Sequence, residues 1–137
     1  MDKMFVRWAI LGLCVVMVTI ASCGRGKTLV FYDGEQRPQH EVAIIDVSNP
    51  RVYVMGIDTL DRKYQALSAK FIEVLPGRHK LKVVYKSWKG RAASPIELEF
   101  QAKAGHNYIV KAAAGFRQWS AWIEDKSNGT VVAGIRK

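Results

Sequence analysis

Two stretches in the middle of the chain decide the fold, KLKVVYK at residues 80–86 and IELEFQA at residues 96–102. Each has an apolar side chain at every second position, and the residues on the other face are mainly lysines in the first stretch and mainly glutamates in the second. Successive side chains of a β-strand point to opposite faces, so this alternation predicts two half-buried strands. If the strands pair in antiparallel fashion, Lys80 and Lys82 face the glutamates, and each such pair contributes roughly 0.2–1 kcal/mol. We therefore expect these two lysines to lie outside any ligand-binding patch.

Shorter strands are predicted on both sides of this pair. Runs rich in β-branched and aromatic residues, bounded by turn residues, are typical of strands. They occupy residues 29–32, 41–47, 51–57, 71–74, 108–114, 119–124 and 130–133. Asn128-Gly129 between the last two is a strong hairpin signal, and Pro76-Gly77 predicts a turn before the central pair. A short helical turn is predicted at residues 64–67.

This succession of short strands predicts an all-β protein. Seven to nine strands without a helix of ordinary length are typical of a sandwich or a small barrel. We favour a single small antiparallel β-sandwich that follows an N-terminal signal helix. Of the 137 residues, 115 follow residue 22, which is enough for one domain and too few for two ordinary ones.

The first 22 residues have the three parts of an export signal. A head with Lys3 and Arg7 precedes an apolar run at residues 8–21, which leads through small residues to Cys23. A basic head, a short apolar stretch and a small-residue cleavage site make a secretory signal peptide. The run is also shorter than the roughly 20 residues that a helix needs to cross a bilayer. The alternative is an uncleaved signal anchor in which Cys23 has no special role.

Ile20-Ala21-Ser22-Cys23 resembles the bacterial lipobox, in which an aliphatic residue and two small residues precede an invariant cysteine. The resemblance implies that the Cys23 thiol carries a diacylglycerol and that the chain is cut just before this residue. It also implies that the new amino group is acylated. Two or more acyl chains on one residue give stable membrane anchoring without a second signal.

This resemblance divides the chain into three parts: a signal peptide at residues 1–22, a lipidated cysteine with a short tether at 23–28, and a β-sandwich domain at 29–137. Gly24 follows the cysteine, where an Asp would retain a lipoprotein in the inner membrane of enteric-type bacteria. For an organism with that sorting rule, the resemblance implies an anchor in the outer membrane, on its periplasmic side.

The mature chain is basic and has no cysteine available for a disulfide. Removing residues 1–22 takes away two cations and one acid, so the net charge falls from +9 to +8. Cys14 leaves with the signal and Cys23 is lipidated, so no internal disulfide forms in spite of the oxidising destination. An exported basic protein meets phospholipid head groups, lipopolysaccharide and wall polymers, whereas nucleic acid, the usual partner at high pI, is not expected. The alternative is a charge that only keeps the protein soluble.

The stretch LPGRHKL at residues 75–81 resembles the turn and strand of PEGA-type domains, which are small extracytoplasmic β modules. With AGHNY at 104–108 and WIED at 122–125, the chain is also similar to a group of small lipoproteins that mostly lack an assigned function. The Pro-Glu-Gly-Ala signature that names PEGA domains is absent. The resemblance implies a small envelope β-domain.

The sequence contains no recognisable catalytic or metal-binding pattern. The three histidines, His40, His79 and His106, show no metal-ligand spacing, so we expect them to brace turns. The chain has no Gly-x-Ser-x-Gly elbow for a nucleophilic serine. No spacing selects a pair for glycoside hydrolysis among the aspartates Asp33, Asp46, Asp58 and Asp61. We therefore expect neither enzymatic activity nor a metal or cofactor.

The best candidate for a binding site is the connection KSWKGR at residues 86–91. It places Trp88 among the cations Lys86, Lys89 and Arg91, and loops on a rigid scaffold often carry function. A Trp with cations suits a sugar, an acidic polymer or the membrane interface. The alternative is that Trp88 packs back onto the rim of the sandwich.

A second aromatic cluster lies at residues 116–122. Trp119, Ala121 and Ile123 alternate as an inward face, so the cluster is expected to be core plus rim. The same alternation places Trp122 on the opposite side of that strand, where it is a second candidate for ligand contact.

These observations favour a non-catalytic envelope module that binds a protein partner or supports an assembly at the membrane. The alternative is a binder of anionic glycan or lipid through the Trp88 loop. An envelope hydrolase is a third and minor alternative.

Overall fold

A computed structural model describes residues 28–61, 69–88 and 94–136, and within them the chain forms ten β-strands and one short 3-10 turn at Gln39–Glu41. The strands are β1 Thr28–Val30, β2 Ala43–Asp46, β3 Val52–Ile57, β4 Leu60–Asp61, β5 Phe71–Val74, β6 Gly77–Tyr85, β7 Ile96–Ala102, β8 Asn107–Ala114, β9 Trp119–Asp125 and β10 Val131–Gly134. The predicted signal peptide, Cys23 and the helical turn at 64–67 lie outside the described residues. No helix in the described segments is long and apolar enough to span a membrane.

The strands form two sheets that pack as a sandwich, which confirms the predicted all-β fold. The larger sheet has the order β1-β5-β2-β8-β9-β10, and the smaller one has the order β4-β3-β6-β7. Two pairings in the larger sheet, β1 with β5 and β2 with β8, are parallel. The sandwich is therefore antiparallel in most but not all of its pairings. Apart from the two-residue β4, the strand count agrees with the predicted range.

The central strand pair has the predicted register. In β6 and β7, Lys80 lies opposite Glu99 and Lys82 lies opposite Glu97. The Lys80 ammonium is 3.8 Å from a Glu97 carboxylate oxygen, and Arg78 is 3.1 Å from Glu99. These side chains are largely exposed, so each ion pair contributes little. They nevertheless neutralise the outer face of this sheet, as the alternation predicts.

The core lies between the two sheets and takes its residues from the inward positions of nearly every strand. Its fully buried members include Ile45, Ile72, Leu81, Val83, Leu98, Tyr108, Val110 and Ile123. Burial of one such aliphatic side chain contributes about 1.5–3 kcal/mol. The inward face predicted for β9 is confirmed, because Ala121 and Ile123 are buried and Trp119 packs against the core.

Two connections of the sandwich follow the sequence signals for turns. Pro76-Gly77 carries the chain from the larger sheet into the smaller one, and Gly77 has a φ of 135°, a conformation that favours glycine. Residues 126–130 join β9 to β10 as an antiparallel hairpin, with Gly129 at a φ of 70°. Both turn predictions are confirmed.

Strand direction separates the connections into two groups at opposite ends of the sandwich. The first group, named here the basic end, comprises residues 47–51, 69–70, 86–88, 94–95 and 115–118. The second group, named the braced end, comprises residues 31–42, 58–59, 75–76, 103–106 and 126–130. The registers of all strand pairs assign each connection to its end.

Candidate functional site

The structure describes part of the predicted Trp88 loop. Lys89 and Arg91 lie outside the described residues. Lys86 donates its backbone N–H to the Arg51 carbonyl over 2.9 Å, and its ammonium lies 4.7 Å from the centre of the Tyr53 ring. Trp88 is 80% exposed. The alternative in which this side chain packs onto the rim of the sandwich therefore does not describe the structure.

A second exposed aromatic lies at the tip of the hairpin between β8 and β9. Phe116 is 90% exposed, and the Arg117 guanidinium lies 5.2 Å from the centre of its ring. Gly115 closes the tip by donating its N–H to the Gln118 carbonyl over 2.7 Å. Arg117 has a φ of 66°, which is uncommon for a residue with a side chain. Sequence reasoning missed Phe116 because it grouped this residue with the core-forming cluster that follows.

Contacts around Trp119 bring these two loops to the same place. The Trp119 indole N–H donates to the Ser94 carbonyl over 3.0 Å, and its ring centre lies 5.8 Å from that of Tyr85. Ser94 belongs to the β6–β7 connection, and Trp119 follows the β8–β9 hairpin tip. The Tyr85 hydroxyl in turn lies 3.2 Å from the Arg51 guanidinium, which adds the β2–β3 connection. Trp88 and Phe116 therefore project from one end of the molecule.

Trp88 and Phe116 lie at the basic end, and the described segments of that end carry positive charge only. They contain Arg51, Lys70, Lys86 and Arg117 and no Asp or Glu. The braced end is mixed, with acids at Asp33, Glu35, Glu41 and Asp58 and cations at Arg37, Lys103 and Lys126. Among the described residues, positive charge is thus concentrated at the basic end, which also exposes two aromatic rings.

Trp122 lies on the outer face of the larger sheet, as the alternation predicts, but it is only 6% exposed. Its indole N–H donates to Glu124 over 2.8 Å, and the Lys111 ammonium lies 2.9 Å from the other Glu124 oxygen. The hydrogen bond from Lys111, with that from Trp122, lowers the pKa of Glu124 below its ordinary value. Trp122 is thus part of a buried polar cluster and is separate from the Trp88 loop.

Two of the three histidines brace turns. His79 places Nδ1 2.7 Å from an Asp58 carboxylate oxygen and Nε2 2.6 Å from the Leu75 carbonyl, so it ties two connections of the braced end together. His106 places Nδ1 2.6 Å from Asp125. His40 is exposed and lies 3.8 Å from Glu41. No group of three or more metal-ligating side chains occurs within residues 28–61, 69–88 and 94–136.

Asp125 is the centre of the bracing at the β9–β10 turn. Its carboxylate accepts hydrogen bonds from the Ser127 N–H and hydroxyl, at 2.9 and 2.7 Å, as well as contacting His106. Burial alone would raise the pKa of Asp125. The hydrogen bonds from Ser127 and His106 outweigh it, so this pKa lies below its ordinary value.

A pocket of about 320 Å³ opens on the outer face of the larger sheet. Its lining includes Ile44 and Phe71, the acids Asp46 and Glu73, and Lys126. Asp46 accepts hydrogen bonds from Lys126 and from the backbone of Ser48, at 2.8 and 2.9 Å. These bonds outweigh the effect of burial, which would raise the pKa of Asp46, so the pKa is lowered.

The second acid of the pocket is held by the loop that follows β1. Tyr32 donates its hydroxyl to Glu73 over 2.5 Å, and Gln36 lies 3.4 Å from the other Glu73 oxygen. Burial, together with the bond to Glu73, raises the pKa of Tyr32. Both acids of the pocket are therefore engaged by neighbouring side chains. Sequence reasoning noted Asp46 but missed Glu73 and Tyr32, because strand pairing and a long loop bring them together.

Comparison of the chain with protein-family models, curated proteins and solved structures finds no match. Function must therefore be inferred from the residues of this chain.

Proposed function

We propose that this chain is a bacterial envelope lipoprotein, anchored by lipid on Cys23, whose β-sandwich is a non-catalytic binding or assembly module. The observation that carries the proposal is the lipobox-like tetrapeptide at residues 20–23, placed directly before the folded domain. The first strand begins at Thr28, five residues after Cys23. Five residues span at most about 17 Å, so the sandwich would be held close to the membrane surface.

The acids of the outer-face pocket support a non-catalytic role. A glycosidase needs one carboxylic acid with a raised pKa beside a carboxylate. The pKa of Asp46 is lowered, and Glu73 accepts a hydrogen bond from Tyr32. Asp46 therefore does not supply the acid that a glycosidase would need in this pocket, which makes a hydrolase the weakest of the three functions considered.

Mass spectrometry of the protein from the membrane fraction tests the proposal. The wild-type chain is expected to begin at Cys23 and to carry two or three acyl groups. The variant Cys23→Ala should lose these groups, whereas Cys14→Ala, which changes the other cysteine, should retain them. An intact N-terminus in all three proteins would contradict the proposal.

A second candidate function is the binding of an anionic glycan or lipid through the Trp88 loop. The exposure of Trp88 and the positive charge of the basic end favour it. Contacts between exposed charges weaken as salt shortens the Debye length from about 10 Å at 0.1 M to about 3 Å at 1 M. Retention on an anionic polysaccharide should therefore fall with salt and with Trp88→Ser, with a neutral polysaccharide as control. Retention that changes neither with salt nor with Trp88→Ser would exclude this function.

A further inference from the structure

We infer that the basic end of the sandwich rests on the surface of an anionic bilayer, with Trp88 and Phe116 among the lipid head groups. The inference rests on the proposed lipid anchor and adds an orientation to it. Three independent features lead to it: the direction of the strand that the tether joins, the distribution of charge, and the exposed aromatic side chains.

The first strand begins on the side that faces the basic end. Strand register places Thr28, Phe71, Asp46 and Ile109 in one row across the larger sheet. From this row β1 runs towards the braced end, so the N-terminal end of β1, where the tether joins, faces the basic end. β8 continues from Ile109 to Ala114 towards the basic end and leads to the hairpin tip that carries Phe116.

Chain lengths allow the anchor to reach the level of the hairpin tip. From Thr28 back to Cys23 the chain has five residues, which reach at most about 17 Å. From Ile109 to Ala114 β8 also advances five residues, or about 17 Å at the usual rise of a strand. A lipidated Cys23 at the membrane surface would therefore allow the hairpin tip to reach that surface.

The charge of the basic end fits an anionic surface. Its described segments contain Arg51, Lys70, Lys86 and Arg117 and no carboxylate. A leaflet with anionic lipids attracts cationic segments at its surface. The braced end, with acids and cations mixed, has no such preference. Electrostatics therefore favours the same orientation as the tether.

The exposed aromatics fit the interfacial layer of a bilayer. Trp is enriched where water meets lipid, and Phe with cations beside it is typical of segments that lie in that layer. Arg117 adopts a backbone conformation that glycine would adopt with less strain, and its guanidinium lies over the Phe116 ring. The hairpin tip thus presents an apolar ring and a cation together. This pairing suits lipid acyl chains with their phosphates better than it suits water.

Spin labels at the two ends of the lipidated protein test the orientation. With Cys23 lipidated and Cys14 removed with the signal, a single new cysteine is the only reactive thiol. Gln118→Cys places a label beside Phe116, and Ala104→Cys places one in an exposed turn of the braced end. Each labelled protein is reconstituted into vesicles of phosphatidylcholine and phosphatidylglycerol. Collision with a water-soluble nickel chelate then reports exposure of the label to water.

The expected result is protection of the label at 118, which should lie about 5–10 Å inside the head-group region, and full exposure of the label at 104. The double change Trp88→Ser and Phe116→Ser should make the label at 118 more accessible than it is in the otherwise unchanged protein. If the protein floats with the vesicles but both labels are equally accessible, the orientation is wrong and the anchor stands. If the protein does not float with the vesicles, the anchor itself is wrong and the orientation fails with it.

Discussion

The two ends of the sandwich are built in different ways. At the braced end, side chains close the turns: His79 joins Asp58 to the Leu75 carbonyl, and Asp125 holds both Ser127 and His106. At the basic end, the described connections expose two aromatic rings and four cations, and Arg117 keeps a strained backbone. Side chains also bond to connections of the basic end, as Trp119 does to Ser94. The comparison teaches that, among the described residues, only the basic end combines such bonds with exposed aromatic rings for contact.

The largest loss of stability is expected from a substitution at Gly134, where β10 packs onto β9 after entering from the braced end. Gly134 has a φ of 76°, and a Cβ placed there would meet the Ala121 carbonyl oxygen. Gly134→Ala should therefore reduce the free energy of unfolding by about 3 kcal/mol or more, as measured by urea unfolding. Gly129→Ala is the control, because φ is also positive there but no atom lies within 4 Å of the added Cβ. Equal losses in the two variants would contradict this packing.

A smaller loss of stability is expected from a substitution at Asp58, which also has a positive φ, of 50°. Asp58→Gly relieves backbone strain but removes the contact with His79 and the hydrogen bond from the Lys80 N–H. Loss of bonds to a partly buried charged group should dominate, with a net loss of about 2 kcal/mol in unfolding free energy. A variant as stable as the wild type in urea would show that this end is not braced by side chains.

The bracing at Asp125 should weaken in acid. Its pKa is below the ordinary value of 3.8, so it contributes stability that is complete above that value and is lost as the pH falls through the lowered pKa. The melting temperature of the wild type should therefore fall more steeply below about pH 4 than that of Asp125→Asn. Asp33→Asn, which makes the same change in an exposed loop, is the control. Identical acid profiles for all three proteins would contradict the role of Asp125.

Replacement of a residue of positive φ by glycine should have the opposite effect at the basic end, where it is expected to raise the free energy of unfolding. Arg117→Gly removes a strain of about 1–2 kcal/mol, partly offset by the flexibility of glycine in the unfolded chain. The net result should be a gain of about 0.5 kcal/mol in unfolding free energy. The contrast with Asp58→Gly measures the difference between the ends directly. A loss of stability in Arg117→Gly would assign a structural role to this arginine.

The smallest effect on stability is expected for the exposed aromatic of the hairpin tip. Phe116→Ser leaves the core unchanged, so unfolding free energy should change by less than about 0.5 kcal/mol. Thermal unfolding in solution checks this prediction. A larger loss would mean that Phe116 stabilises the fold and would remove it from the contact surface.

Strong alternation made parts of this fold predictable from the sequence. The bounds of β5 and β7 agree with the predicted residues 71–74 and 96–102. β4 was not predicted, because its two residues lie in a polar stretch and pair only with β3. The parallel pairings of β1 with β5 and of β2 with β8 were also missed, since partner choice depends on contacts far apart in sequence.

The candidate surface was predictable only in part. The exposed position of Trp88 follows from its place in a polar connection between clear strands. Phe116 was missed because it lies just before a strand with a buried face. The sequence does not distinguish an exposed aromatic in that position from a residue of the core. Trp122 was placed on the correct face, but Glu124 and Lys111 cover that face, which alternation alone cannot reveal.

Attachment of lipid to Cys23 is the central claim, and incorporation of an alkyne-bearing palmitate in growing cells tests it most directly. The account predicts label on the wild-type chain and on Cys14→Ala, and none on Cys23→Ala. A wild-type chain without label, or a Cys23→Ala chain that keeps it, would contradict the account.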